Sequence, residues 1–177
     1  MQDWLSQRSH TTPNKKGVVD VASTTSYTFA ELDTLVKQRS HALHAHGARH
    51  GSTVAVVTQT HFEAVLAMYA AVRIGCRVAV IDPDAPPATV SARLSAIEID
   101  IVLCEQNTKV VINQALDHTE EQAIPSLVPL TEITDSGVTS NPPADPLPDE
   151  AVQFLLFTSG TTGNPKPVPL SGQQIET

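Results

Sequence analysis

Apolar residues in this chain occur either in short continuous runs or at the three- and four-residue spacing of a helix. The runs at 53–57, 77–81 and 100–104 are rich in β-branched residues, as expected for strands that are covered on both faces. Before and between these runs, apolar residues at helical spacing over 32–43 and 62–72 predict helices. This alternation, with its short connections, predicts an α/β fold: a mostly parallel sheet with helices on both faces.

The helical segments also carry end signals. Two pairs of residues have the Thr-x-x-Glu spacing of a capping box, whose side chains accept from unpaired amides at the helix start: Thr28 with Glu31, and Thr60 with Glu63. Gly47 and Gly75 follow the last apolar positions and suit the ends of these helices. A third helix is predicted from Pro87, because proline fits a first helical turn, to about Ile97.

Weaker patterns surround this central unit. Short strands are predicted at 17–22, 26–28, 126–130 and 151–157. Residues 110–116 fit a helix or a strand equally well, and the Ser-, Thr-, Asp- and Pro-rich segment 134–150 predicts a surface loop. We therefore divide the chain into an α/β body at 1–133, this loop, and a strand–loop–strand unit at 151–171.

Three prolines at alternate positions lie in the last part of that unit. In an extended chain, alternate residues turn their amides toward the same side, so Pro165, Pro167 and Pro169 leave one edge without donors. Prolines in sheets occur at such edges. The pattern predicts an edge strand at 166–170, antiparallel to the strand at 151–157, with the intervening loop as their connection.

Composition and charge narrow the class of protein. Of the 177 residues, 41% are hydrophobic and 17% are charged, which is typical of a globular domain. The formal charge is −8 and the basic residues are scattered, so no nucleic-acid-binding surface is predicted. No apolar run approaches the roughly 18 residues of a membrane span. Residues 1–10 lack the apolar core of a secretory signal, and a cytoplasmic protein is expected.

The positions of cysteine and histidine do not predict a metal site. Cys76 and Cys104 are far apart in the sequence and are expected to be buried, reduced thiols. Four histidines cluster at the end of a predicted helix: His41, His44, His46 and His50. Gly47 interrupts the spacing of the last two, and no cysteine or acidic residue joins the group, so we interpret it as a polar helix end.

The segment 157–166 is the one whose composition indicates chemistry. It combines four hydroxyl side chains, two glycines and a lysine. Glycine lets backbone amides approach an anion, hydroxyls add donors and lysine adds charge, so the composition suits phosphate binding, although solvated turns contain the same residues. A nucleotide-binding G-x-x-x-x-G-K-[ST] loop does not fit, because Pro165 holds the position of its second glycine. The dinucleotide pattern G-x-G-x-x-G does not occur.

The order of residues from Thr158 to Lys166 resembles the T-S-G-[ST]-T-G-x-P-K-G signature of the adenylate-forming enzymes. This superfamily contains acyl- and aryl-CoA synthetases, luciferases and the adenylation domains of peptide synthetases. Three upstream segments resemble other features of the family: TPNK at 12–15, TFAEL at 28–32 and IGCRVAVIDP at 74–83. The resemblance spans residues 12–171 and implies the N-terminal portion of such an enzyme.

The resemblance implies a two-step reaction. ATP, with Mg²⁺, would activate a carboxylic acid as an acyl-adenylate, and the thiol of coenzyme A or phosphopantetheine would then accept the acyl group. Seven residues would hold the β- and γ-phosphates: Thr158, Ser159, Gly160, Thr161, Thr162, Gly163 and Lys166. The catalytic and metal-binding residues of the family have no counterpart in this segment, and we expect the remainder of the enzyme to pack against it.

Two positions depart from the family pattern. Pro167 replaces the glycine that follows the lysine, and Gly172 replaces the histidine that follows Ser171. The adenine and acyl pockets of the family also have no counterpart, so we expect this segment alone not to complete the reaction. An alternative of a different class is a non-catalytic α/β module that binds a partner or a phosphate.

Overall fold

A computed structural model of the protein describes residues 3–59, 61–116, 125–134, 145–158 and 165–175. The elements in these ranges are α1 (Trp4–Thr11), β1 (Lys16–Asp20), β2 (Thr25–Thr28), α2 (Phe29–Ala45), β3 (Thr53–Val57), α3 (Phe62–Arg73), β4 (Arg77–Val80), α4 (Pro87–Ser95), β5 (Ile101–Cys104), α5 (Lys109–Leu116), β6 (Ser126–Pro129), α6 (Leu130–Thr134), β7 (Val152–Thr158), β8 (Lys166–Ser171) and α7 (Gly172–Ile175). None of the helices in these ranges is both long and apolar enough to cross a membrane.

Six strands form one sheet in the order β6-β5-β3-β4-β7-β8, and β1 and β2 form a separate antiparallel hairpin. Within the large sheet, β6, β5, β3, β4 and β7 are parallel to their neighbours, and β8 runs antiparallel beside β7. Every residue of the central strand β3 is buried, which explains its uninterrupted apolar run. The predicted α/β fold with a mostly parallel sheet is confirmed.

Helices cover both faces of the sheet, as predicted. Because alternate strand residues point to opposite faces, Val54 and Val56 of β3 pack in one core with α2 and α3, whereas Ala55 and Val57 pack in another with α4 and α5. We call these the first core and the second core. The connection from β3 to β4 crosses the first-core face through α3, and the connection from β4 to β5 crosses the second-core face through α4. In the sheet order, the step from β3 to β4 runs in one direction and the step from β4 to β5 runs in the other. Because crossover connections between parallel strands are right-handed, two connections that run in opposite directions lie on opposite faces of the sheet.

Helix ends follow the sequence signals in α2. The capping box is confirmed, since the Thr28 hydroxyl accepts from the Glu31 amide at 3.3 Å and the Glu31 carboxylate accepts from the Thr28 amide at 2.8 Å. Gly47 and Gly75 follow α2 and α3 with φ angles of 99° and 77°, which only glycine adopts readily.

The predicted capping box of Thr60 and Glu63 is wrong. α3 begins at Phe62, and its N-cap is His61, whose Nδ1 accepts from an amide of the first turn at 3.4 Å; Thr60 lies outside the described residues. Glu63 instead binds Arg39 of α2, with Nε and Nη2 3.1 Å and 3.0 Å from one carboxylate oxygen. A charge-assisted contact to a residue 24 positions away thus replaces the local cap.

The N-terminal helix α1 is not predicted by the sequence pattern. Its residues are mostly polar, and only Leu5 is buried. Asp3 caps the first turn and also accepts from Nη2 of Arg73, at the end of α3, at 3.0 Å. Trp4 packs edge-on against Phe29 of α2. Tertiary contacts therefore hold a helix that its own periodicity does not support.

Several other boundaries differ from the predictions. α4 ends at Ser95 and not near residue 97, and the ambiguous segment at 110–116 belongs to the helix α5. The strand predicted at 126–130 ends at Pro129, because Leu130 begins the short helix α6. Of the predicted surface loop, residues 145–150 contain neither helix nor strand, and residues 135–144 lie outside the described part of the chain.

Candidate phosphate-binding site

The candidate site lies at the connection between β7 and β8. The predicted antiparallel edge strand is confirmed: β8 pairs with β7 at the border of the sheet, and Thr158, the last residue of β7, lies opposite Lys166, the first residue of β8. Both residues are exposed. Two predicted site residues are therefore brought together at the mouth of the hairpin. The other five lie outside the described residues: Ser159, Gly160, Thr161, Thr162 and Gly163.

The alternating prolines have a clear place in this hairpin. Pro167 and Pro169 lie opposite Phe157 and Leu155 of β7. Proline has no amide hydrogen, so the donors of β8 toward its partner come from the residues between them, and the prolines face the open border of the sheet. The departure from the family's glycine at Pro167 therefore removes no hydrogen bond of the β7–β8 ladder.

The hairpin is next to the sheet edge at which ligands bind in α/β proteins. The parallel strands β3, β4, β5 and β7 end at this edge, and the neighbours β3 and β4 continue into helices on opposite faces. Connections that diverge in this way leave a crevice beyond the carboxyl ends of the strands. Because β7 pairs directly with β4, its loop begins beside that crevice.

Polar side chains join the loops that follow β3, β4 and β5. The Gln59 side chain donates to Asp84 at 2.5 Å, and the Gln59 amide donates to Glu105 at 3.2 Å. Glu105 also lies 3.4 Å from Nε2 of His61. These contacts connect residues that are 25 and 46 positions apart, and no sequence pattern indicates them. In the part of the chain that the structure describes, no three His, Cys, Asp or Glu side chains are arranged to hold a metal ion.

Two further side chains near the hairpin are not indicated by the sequence. The guanidinium carbon of Arg93, on α4, lies 5.8 Å from the centre of the Phe157 ring, one residue before Thr158. Gln153 is the extra residue of a bulge in β7, and its side chain is fully buried against Gly172. Arg93 therefore adds a positive charge beside the end of β7, and Gln153 fixes the opposite end of the hairpin.

The family described as AMP-binding enzyme matches residues 5–176, nearly the whole chain. The chain belongs to the AMP-binding enzyme family. The predicted resemblance to adenylate-forming enzymes is thereby confirmed.

Curated relatives of this AMP-binding family member include two kinds of enzyme. The nonribosomal peptide synthetase sidC of Arthroderma benhamiae is 33% identical over 147 residues, covering 81% of this chain and 3% of the relative. The long-chain fatty-acid–CoA ligase FadD13 of Mycobacterium tuberculosis is 28% identical over 177 residues, covering 93% of this chain and 33% of the ligase. The chain thus spans about a third of the CoA ligase and a few per cent of the synthetase.

Solved structures show the same fold. The o-succinylbenzoate CoA synthetase of Bacillus subtilis superimposes with a TM-score of 0.83 at 24% identity, over 97% of this chain and 34% of that one. The N-terminal domain of FACL13 from Mycobacterium tuberculosis gives a TM-score of 0.77 at 25% identity, over 98% of this chain and 45% of that one. The Bacillus enzyme has been solved with AMP and with ATP and magnesium.

Proposed function

We propose that this chain supplies the phosphate-binding part of an ATP-dependent enzyme that activates a carboxylic acid as an acyl-adenylate. The acyl group would pass to a thiol, that of coenzyme A or of a carrier-bound phosphopantetheine. Membership of the AMP-binding enzyme family supports the first step. Relatives that are CoA ligases and peptide synthetases support the two classes of acceptor.

The observation that carries the proposal is the pairing of Thr158 with Lys166 across the β7–β8 hairpin. The register fixes a hydroxyl and an ammonium group together at the start and the end of one short loop, and both are exposed. Such donors suit the terminal phosphates of ATP. Residues 159–164, which contain two glycines and three hydroxyl side chains, connect them and complete the proposed phosphate loop.

The proposed chemistry assigns a definite role to this loop. When a carboxylate attacks the α-phosphate, negative charge accumulates on the departing pyrophosphate. Fixed donors and the Lys166 charge are most effective there, because their interaction strengthens as the bond breaks. Mg²⁺ would neutralise part of the same charge when bound. We assign it no ligand in this chain, because the described residues contain no suitable group of side chains.

The proposal is tested by titrating the purified, ¹⁵N-labelled chain with ATP and with tripolyphosphate. We expect shifts in the amide signals of Thr158 and Lys166, with an affinity on the order of millimolar, since few contacts are made. Lys166→Ala should weaken binding about tenfold, the effect of losing one charge-assisted contact. Lys16→Ala is the matched control: Lys16 is also the first, exposed residue of an antiparallel strand and lies opposite a threonine, Thr28.

The outcomes decide whether this chain carries a phosphate-binding loop. Binding that depends on Lys166 and not on Lys16 supports the proposal. Absence of shifts near Thr158 with either ligand, or equal weakening by the two lysine substitutions, contradicts it. That result would favour a non-catalytic α/β module that binds a partner.

A further inference from the structure

Arg93 lies on the second-core side of the sheet, close to the end of β7. It belongs to the last turn of α4, whose Val90 and Leu94 are buried in the second core together with the partly buried ring of Phe157. The guanidinium carbon is 5.8 Å from the centre of that ring. The positive charge of Arg93 is thus held beside the residue that directly precedes Thr158.

The charge of Arg93 has no acceptor among the described residues. Its Nε is buried and has no hydrogen-bond partner there, and no carboxylate of the described ranges forms a salt bridge with it. By contrast, Arg39 binds Glu63, Arg73 binds Asp33, and Arg49 binds the carbonyl of His44. A partly buried guanidinium without an acceptor is costly, and an anion would satisfy it.

The register places this charge on the side of the strand opposite Lys166. Alternate residues of a strand point to opposite faces. Phe157 points to the second core, beneath Arg93, so Thr158 and its partner Lys166 point to the other face. One cation therefore lies on each face of the sheet at the paired ends of β7 and β8, Arg93 on one face and Lys166 on the other.

We propose that Arg93 is a second cationic ligand of the phosphate site and binds the polyphosphate chain from the face opposite Lys166. A guanidinium can offer two parallel donors to one phosphate, which a single ammonium group cannot. The contact with the Phe157 ring would hold the guanidinium group in place before the ligand arrives, so little side-chain freedom is lost on binding. The inference rests on the proposed phosphate-binding function of the β7–β8 loop.

The test measures tripolyphosphate affinity of the full chain and four variants by the same amide titration. We expect Arg93→Met to weaken binding about tenfold, as for one charge-assisted hydrogen bond. Arg93→Lys should retain part of the affinity, because it keeps the charge and loses the fork. Arg8→Met is the matched control: Arg8 also lies over an aromatic ring, 5.7 Å from the centre of Trp4, on α1. Lys166→Ala reports on the phosphate site itself.

The outcomes separate the role of Arg93 from the proposed phosphate-binding function of the chain. Weakening by Arg93→Met beyond that of Arg8→Met, with partial rescue in Arg93→Lys, supports the inference. Equal affinities in the two methionine variants, while Lys166→Ala still weakens binding, leave the proposed function standing and overturn the role of Arg93. Failure of the unsubstituted chain to bind overturns both. If Arg93→Met loses its dispersed amide spectrum, a fifth variant, Arg93→Gln, replaces it in the comparison.

Discussion

The side-chain amide of Gln153 lies so close to Gly172 that a β-carbon added to the glycine would stand 2.5 Å from Nε2 and 3.0 Å from Cδ. Gly172 occupies the position at which the adenylate-forming enzymes usually carry a histidine. In this chain the buried side chain of Gln153 fills the space beside the glycine. The pair lies at the base of the hairpin whose mouth carries Thr158 and Lys166.

Gly172→Ala should therefore destabilise the protein by about 1–3 kcal/mol, the usual cost of overpacking a buried site. Without this clash, Gly172→Ala would be expected to stabilise the protein, because alanine is favoured over glycine within a helix. Urea unfolding of Gly172→Ala, Gln153→Ala and the double variant gives the coupling free energy between the two positions. We expect the alanine at 172 to cost less when Gln153 is already truncated; equal costs in both backgrounds would contradict the packing argument.

Gln153 also leads to a second prediction, because both polar atoms of its fully buried side chain lack partners among the described residues. Replacing such a group by an apolar one of similar shape removes a desolvation penalty. Gln153→Met should leave the free energy of unfolding unchanged or raise it by about 1 kcal/mol. A marked loss in urea unfolding would show that the amide has a partner that stabilises the hairpin.

Asp33 should make stability depend on acid pH. Burial alone would raise its pKa, but the hydrogen bond from Lys37 and the charge of Arg73, whose Nη2 lies 2.7 Å from Oδ1, together lower it. A carboxyl with a lowered pKa in the folded state contributes stability above its unfolded pKa, and this contribution is lost as pH falls through the folded value. We expect stability to fall below about pH 4, and Asp33→Asn to flatten the curve. The test is to measure the midpoint of urea unfolding between about pH 2.5 and 6 for both proteins. If the midpoint of Asp33→Asn falls with pH as steeply as that of the unsubstituted protein, the prediction is refuted.

The two cysteines should be unreactive in the folded protein. Both are fully buried, and burial raises the pKa of Cys104 and, with the nearby charge of Asp100, raises that of Cys76 to about 12. Only the thiolate reacts with iodoacetamide at an appreciable rate. We expect iodoacetamide to leave both thiols of the native protein unmodified at about pH 8 and to alkylate both in urea. Mass spectrometry measures the extent of alkylation. Rapid native labelling of either thiol would contradict its buried position.

The parts of this fold that the sequence predicts are those whose signals are local. The strand at 53–57 is a continuous apolar run, and the box of Thr28 and Glu31 needs only residues three positions apart. The helix α1 escapes prediction because its support comes from Arg73, far along the chain. The α3 cap is mispredicted for a related reason, since Glu63 is engaged by Arg39 of another helix.

The same distinction applies to the candidate site. Thr158 and Lys166 are found from sequence because one continuous motif contains both, and the proline pattern fixes the strand that returns from it. Arg93 contacts Phe157 of β7 from the helix α4, 64 positions earlier in the chain, so no local pattern can indicate the contact. Gln59 likewise meets Asp84 and Glu105 only through the sheet order. Side chains assembled by topology require the structure.

The prolines of β8 lead to a prediction about association. β8 is the border strand of the sheet, and Pro167 and Pro169 lie at the positions whose amides would face outward. A border without donors cannot template another strand. Pro167→Thr combined with Pro169→Thr restores two outward donors and adds a residue with high strand propensity. We expect the double variant to self-associate more than the unsubstituted chain. In sedimentation velocity, its sedimentation coefficient should rise more steeply with protein concentration.

Val168→Thr is the control for this comparison, because it introduces the same side chain in the same strand and leaves both prolines in place. Its sedimentation should match that of the unsubstituted chain. Amide hydrogen exchange supplies the second readout. The amides at positions 168 and 170, which lie opposite Leu156 and Phe154, should be protected in all three proteins, because they face β7. If the double variant remains as monomeric as the control, the prolines do not act by removing outward donors. If Val168 and Leu170 exchange like free chain, the β7–β8 ladder itself is refuted, and with it the geometry that places Thr158 opposite Lys166.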